Sequence, residues 1–197
     1  ESFSKIPDLY IADGHHRAKS SVNVADRMMS AGTCPVEAGR FMAVVFGSAH
    51  VRIHGYSRLL ADLGDRTPAE FLAELKRSFS VRTYGPVDGV SFQVVPLGDQ
   101  SADHIFHLYL AGTWYELSTP RLPGRGVIES LDVSILQHEV FSRLLGIADP
   151  RGDPRLQYLG GARPLADLVA KVDGGAYRAA IAMQPVAVAR MDSRYFA

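Results

Sequence analysis

Between Ser80 and Leu117 the chain carries four short segments, 80–84, 91–96, 104–111 and 113–117, each enriched in β-branched and aromatic residues. Gly-Pro, Asp-Gly, Gly-Asp and Ala-Gly pairs punctuate them. Short apolar runs broken by turn residues at this spacing predict an antiparallel meander. The Ala111-Gly112 pair is the clearest hairpin signal, because a two-residue loop between strands needs residues that tolerate positive φ.

Helices flank that meander. Thr67, Pro68 and Glu70 supply an N-cap hydroxyl, a first-turn proline and a third-position glutamate. Together they form a capping box and predict a helix over about 68–77. Leu131, Ile135, Leu136, Val140, Leu144 and Leu145 recur at helical intervals until Gly146. Residues 150–154 read as a loop, 164–172 as a short helix closed by Gly174-Gly175, and 177–183 as a last strand. At the other end, the apolar run 8–12 stops at Asp13-Gly14, after which Ala18, Val22, Ala25, Met28 and Met29 fall at helical spacing. Gly32 is placed to end that helix, and 40–47 is an apolar run bounded by glycine, as in a buried strand. The expectation is an α/β or α+β fold: residues 1–60 form a β-α-β segment and 61–197 an α+β domain with an antiparallel sheet and packed helices. Because the first strand and helix come at once, the chain is expected to be the C-terminal part of a longer one, lacking an N-terminal portion.

Composition narrows the function. With 197 residues, 47% of them hydrophobic, the chain can bury a core as one domain or two small ones. Lys plus Arg and Asp plus Glu both number 21, a net charge of zero, which argues against a broad electrostatic grip on nucleic acid or an anionic bilayer. No run approaches the roughly 18 apolar residues of a membrane span, and Glu1-Ser2-Phe3-Ser4-Lys5 lacks the build of a signal peptide. A soluble, cytoplasmic protein is expected. The single cysteine, Cys34, excludes an internal disulfide and a multi-cysteine zinc site, and reads as an ordinary thiol in a loop.

The residues with most chemistry are Asp13-Gly14-His15-His16-Arg17, where a strand is expected to hand over to a helix. Unpaired amides and the helix dipole make such a place an anion site. Gly14 allows close backbone approach, Arg17 can fork onto a phosphate, and His15 and His16 supply donors or a proton-transfer group. Asp13 would repel a phosphate unless a metal ion or substrate hydroxyl stood between them, which suits phosphoryl chemistry. Arg121 and Arg125 flank Leu122-Pro123-Gly124 and could close over phosphates, the bland alternative being a solvated arginine loop. His138 and Glu139 are adjacent on a helix and cannot face one site together. His104 and His107, three apart in a strand, face opposite sides. No metal site is read from these histidines, nor from His15 and His16.

Four ordered motifs carry a resemblance: Tyr10-Ile11-Ala12-Asp13-Gly14-His15-His16-Arg17, Leu131-Asp132-Val133-Ser134-Ile135-Leu136, Leu144-Leu145-Gly146-Ile147 and Met191-Asp192-Ser193-Arg194-Tyr195-Phe196. The chain resembles the uncharacterised bacterial and archaeal family known as domain of unknown function ten-fifteen. Its Asp-Gly-His-His-Arg signature is also similar to the phosphate-binding motif of the ParB/sulfiredoxin-like superfamily, which includes free-serine kinases. The resemblance implies that Asp13 is a catalytic or metal-proximal acid and that Gly14, His15, His16 and Arg17 form the phosphate cradle. It adds His54, which falls where the family tends to carry a histidine on a strand leading to the site; a partly buried structural histidine is the alternative. The implied activity is a small-molecule kinase acting on free serine or a similar hydroxylated metabolite, with ATP or ADP and Mg²⁺ as cofactors. The other reading is a ParB-like nucleotide switch that controls association with DNA or a protein. Three departures stand out: the acidic base of the serine kinases lies upstream of the motif, where only twelve residues precede Asp13; the family usually has a longer stretch before its last motif; and it usually has a threonine where Arg194 stands.

Overall fold

A computed structural model describes residues 5–6, 9–51, 54–86, 103–120, 126, 128–160 and 164–184. The chain divides into two compact units, Glu1–Ala49 and His50–Ala197. No helix among the described residues is long and apolar enough to cross a membrane.

The larger unit is built on a six-stranded antiparallel sheet. Its strands are β1 (Ser57–Leu60), β2 (Ser80–Gly85), β3 (Asp103–Leu110), β4 (Thr113–Pro120), β5 (Leu156–Leu159) and β6 (Ala179–Met183), in the order β2-β4-β3-β6-β1-β5. Every pairing is antiparallel. With the helices around it, this is an α+β fold. β3 and β4 form the expected hairpin, and Ala111 and Gly112 take φ of 48° and 78°, the two positive values a tight turn of this hand requires. The segment expected at 91–96 lies outside the described residues.

Strand alternation gives the sheet two faces. On one, Phe106, Leu108 and Leu110 of β3 join Leu117, Ile181, Met183 and Leu60. This face packs on Phe71 and Leu75 of α2 (Pro68–Leu75) and on Ile135, Leu136, Val140 and Phe141 of a second helical stretch. The Thr67 cap forms as expected: Glu70 N–H donates to the Thr67 hydroxyl and Thr67 N–H to the Glu70 carboxylate. The second stretch runs as α3 (Asp132–Leu136), a π-helical segment over Gln137–Ser142, and α4 (Arg143–Leu145), ending at left-handed Gly146. Its wider middle turn departs from the uniform α-helix that apolar spacing predicts. Apolar periodicity fixes which residues face the core but tolerates one widened turn.

On the opposite face, Leu59, Tyr109, Trp114, Ala180 and Ala182 meet Leu168 and Val172 of α5 (Leu165–Asp173). The Tyr109 hydroxyl donates to both Asp173 carboxylate oxygens at 2.9 and 3.0 Å, tying the end of α5 to β3. Burial first, and the Asp173 carboxylate second, push the Tyr109 phenol up to about 12. The folded state thus holds its proton more tightly than the unfolded chain, whose phenols titrate near 10. The stabilisation is intact below pH 10 and is lost as pH rises from 10 through about 12. Urea midpoints followed by circular dichroism should fall more steeply across that window for the wild type than for Tyr109→Phe.

The smaller unit contains α1 (His15–Ser30), as the apolar spacing predicts. Neither 9–12 nor 41–46 is a strand, so the β-α-β pairing expected here is not found among the described residues. Phe41, Met42, Val44, Val45 and Phe46 are all exposed. An apolar run declares a need for burial, but a strand also needs a hydrogen-bonding neighbour, and these two runs do not pair with each other.

Candidate functional site

The Asp-Gly-His-His-Arg signature forms the start of α1. Gly14 takes the N-cap position with φ 83° and ψ 22°, left-handed values that favour glycine. Ala18 N–H donates to the Gly14 carbonyl at 2.9 Å, opening the helical ladder. Gly14 has no side chain with which to cap this end, and no acidic residue occupies the first turn. The amides of the first turn therefore lack intrahelical acceptors and carry the positive end of a sixteen-residue helix.

Arg17 folds back over this end. A Cβ at Gly14 would lie 3.0 Å from Arg17 Nη2, so glycine leaves room for the guanidinium as well as permitting the backbone turn. Arg17 Nη2 pairs with Asp13 Oδ2 at 3.3 Å, with the two side chains 82% and 93% exposed. Exposed pairs one helical turn apart contribute at most about 1 kcal/mol, so Arg17 can leave Asp13 for a stronger anion at little cost. The His15 and His16 rings lie 4.1 Å apart and both residues are exposed. Asp13, Gly14, His15, His16 and Arg17 thus sit together around one helix end.

His54 belongs to the larger unit, exposed and just before β1 rather than within a strand. Arg121 and Arg125 lie outside the described residues, as does the terminal motif with Ser193. His104 and His107 do face opposite sides of β3. His104 is buried and its Nδ1 lies 2.6 Å from Asp132 Oδ1, so the acid of the Leu131–Leu136 motif pins α3 to the sheet. Glu139 accepts from Ser78 Oγ at 2.6 Å and pairs with Arg143, whereas His138 is exposed.

One polar group escaped the sequence reading. Glu116 on β4 stands opposite both Arg82 and His107 in the ladders. It accepts from Tyr84 Oη at 2.6 Å and Arg82 Nη2 at 3.1 Å, and His107 Nε2 lies 3.8 Å away. Burial pushes His107 below the usual histidine range, with Glu116 opposing. Burial and the bond to Glu116 push the Tyr84 phenol up. The ladder steps from Thr83 to Gly85, a bulge that re-aims the intervening tyrosine. Alternation marks each residue's face, but the register that brings three strands' residues together is not written locally.

With this geometry in view, a family model described as "Protein of unknown function (DUF1015)" matches residues 1–134, taking in the whole signature and the meander. The chain belongs to that family. No curated protein and no solved structure matches it.

Proposed function

We propose that this chain binds the phosphates of a nucleotide at the start of α1 and acts as a small-molecule kinase, with free serine or a similar hydroxylated metabolite as acceptor. The observation that carries the reading is a helix N-terminus whose N-cap is a left-handed glycine, flanked by an exposed arginine and an exposed acid that pair with each other. Backbone amides and the helix dipole recognise phosphate oxygens, and the Arg17 guanidinium adds a planar fork able to neutralise charge that develops during transfer.

Among the described residues no three His, Cys, Asp or Glu side chains are grouped to hold a metal by themselves. Mg²⁺ bound chiefly through nucleotide phosphates needs only one or two protein carboxylates, and Asp13 can supply one. The ion would neutralise phosphate charge. Once Arg17 turns to the phosphates, Asp13 is free to orient the ion or the acceptor hydroxyl, and the exposed imidazoles of His15 and His16 can donate to phosphate oxygens or move a proton.

Calorimetric titration of the intact protein with ATP, ADP and CTP, beside a phosphoserine assay with each as donor, tests this. Saturable binding of ATP or ADP in the presence of Mg²⁺, with phosphoserine formed, is expected. Absence of binding by all three nucleotides would overturn it.

A further inference from the structure

Arg58, on β1, is a buried cation with no counter-charge among the described residues. It is 8% exposed, and no described salt bridge includes it. Its hydrogen bond among the described residues runs from Nη1 to the backbone oxygen of Tyr56. In place of a carboxylate it has two aromatic rings. The guanidinium carbon lies 4.4 Å from the centre of the Tyr158 ring and 5.9 Å from that of Tyr56.

The fold builds this bracket deliberately. Arg58 stands opposite Tyr158 in the β1–β5 ladder, and Tyr56, two residues earlier, falls on the same face. The rings are 6.2 Å apart, tilted by 53°. A Cβ on Gly160 would come within 2.1 Å of Tyr56 Cε2, so the ring of Tyr56 can lie where it does only because Gly160 has no side chain. Tyr158 is fixed from its far end, where its hydroxyl donates to the Pro150 carbonyl at 3.1 Å. The tyrosines remain 55% and 39% exposed, so the bracket opens outward.

A guanidinium withdrawn from water is costly to leave unneutralised, and cation–π attraction returns only part of that cost. Burial lowers the Arg58 pKa from the usual arginine range, but arginine stays protonated near neutrality. One carbonyl acceptor leaves most of the N–H fork for a group that the described residues do not supply. Aromatic walls lower the local dielectric and strengthen any ion pair made between them.

We propose that Arg58, bracketed by Tyr56 and Tyr158, is a binding site for an oxyanion, the phosphate or carboxylate group of a small molecule. The fork geometry of guanidinium matches the paired oxygens of either group. This site belongs to the sheet-bearing unit and stands independently of the reading of α1.

The test is an NMR titration of the intact protein carrying ¹⁵N-labelled arginine, with the Arg58 Nε–Hε signal assigned by its loss in Arg58→Lys. Sodium phosphate and sodium acetate are added separately, with ionic strength held constant by sodium chloride. A saturable shift of the Arg58 signal, at concentrations at least about tenfold below those that move the other arginines in common, is expected with one or both anions; which one responds identifies the group. Arg58→Gln should weaken the calorimetric affinity for that anion by at least about tenfold, while Tyr158→Phe, which keeps the ring, retains it. An Arg58 signal that ignores both anions, or drifts in proportion to added salt, overturns the site, and this wild-type reading decides the matter even if Arg58→Gln does not fold. The Arg17 signal reports the α1 site separately, so either proposal can fail alone.

Discussion

Phe106→Ala is expected to destabilise the sheet-bearing unit by about 3–5 kcal/mol, the usual cost of emptying a buried aromatic site. Phe106 is fully buried on β3, which is paired on both sides, and lies opposite Leu117 of β4 and Met183 of β6. Its ring meets Phe79 edge-on at 5.8 Å, so the substitution removes a directed aromatic contact as well as area. Domains have only about 5–15 kcal/mol in hand, so the loss consumes a large share of the total. Urea unfolding followed through Trp114 fluorescence would report it cleanly. That residue is the sole tryptophan, belongs to the same unit and faces the other side of the sheet. A loss below about 1 kcal/mol would contradict the packing described.

The second large effect is catalytic and rests on the kinase reading. Asp13→Asn is expected to lower the rate of serine phosphorylation by about a hundredfold or more while leaving nucleotide affinity close to wild type, since it removes charge where the hydroxyl or ion is oriented. Arg17→Ala should weaken nucleotide binding as well as turnover, and Arg17→Lys should restore charge without the fork and recover part of the loss. Both side chains are more than 80% exposed, so the fold should survive either change, as circular dichroism can verify. Unchanged phosphorylation in both variants would remove the assignment of chemistry to this motif.

What could be read in advance was whatever a few neighbouring residues determine. The Thr67 cap, the Ala111-Gly112 turn, α5, β6 and the opening of α1 each carry their signal within one or two turns of chain. β1 and β5 went unread because each is four residues long and acquires its identity only by pairing, β5 with β1 and β1 with both β5 and β6. The run 41–46 misled for the converse reason, looking like a strand while lacking a ladder partner among the described residues. The same division applies to sites. Asp13 to Arg17 are consecutive and so were visible, whereas Arg58 with its tyrosines, and Glu116 with Arg82 and His107, come together only through the register of separate strands.

The position of β6 has a consequence for biosynthesis. It lies between β3 and β1, so among the described strands it alone joins the β2-β4-β3 half of the sheet to the β1-β5 half. While the ribosome is still translating toward Ala179, both halves display open hydrogen-bonding edges where β6 will insert, and the nascent unit cannot close. The cooperative core must therefore assemble late, after β6 has emerged, and a chain cut short before Ala179 would remain two adhesive half-sheets.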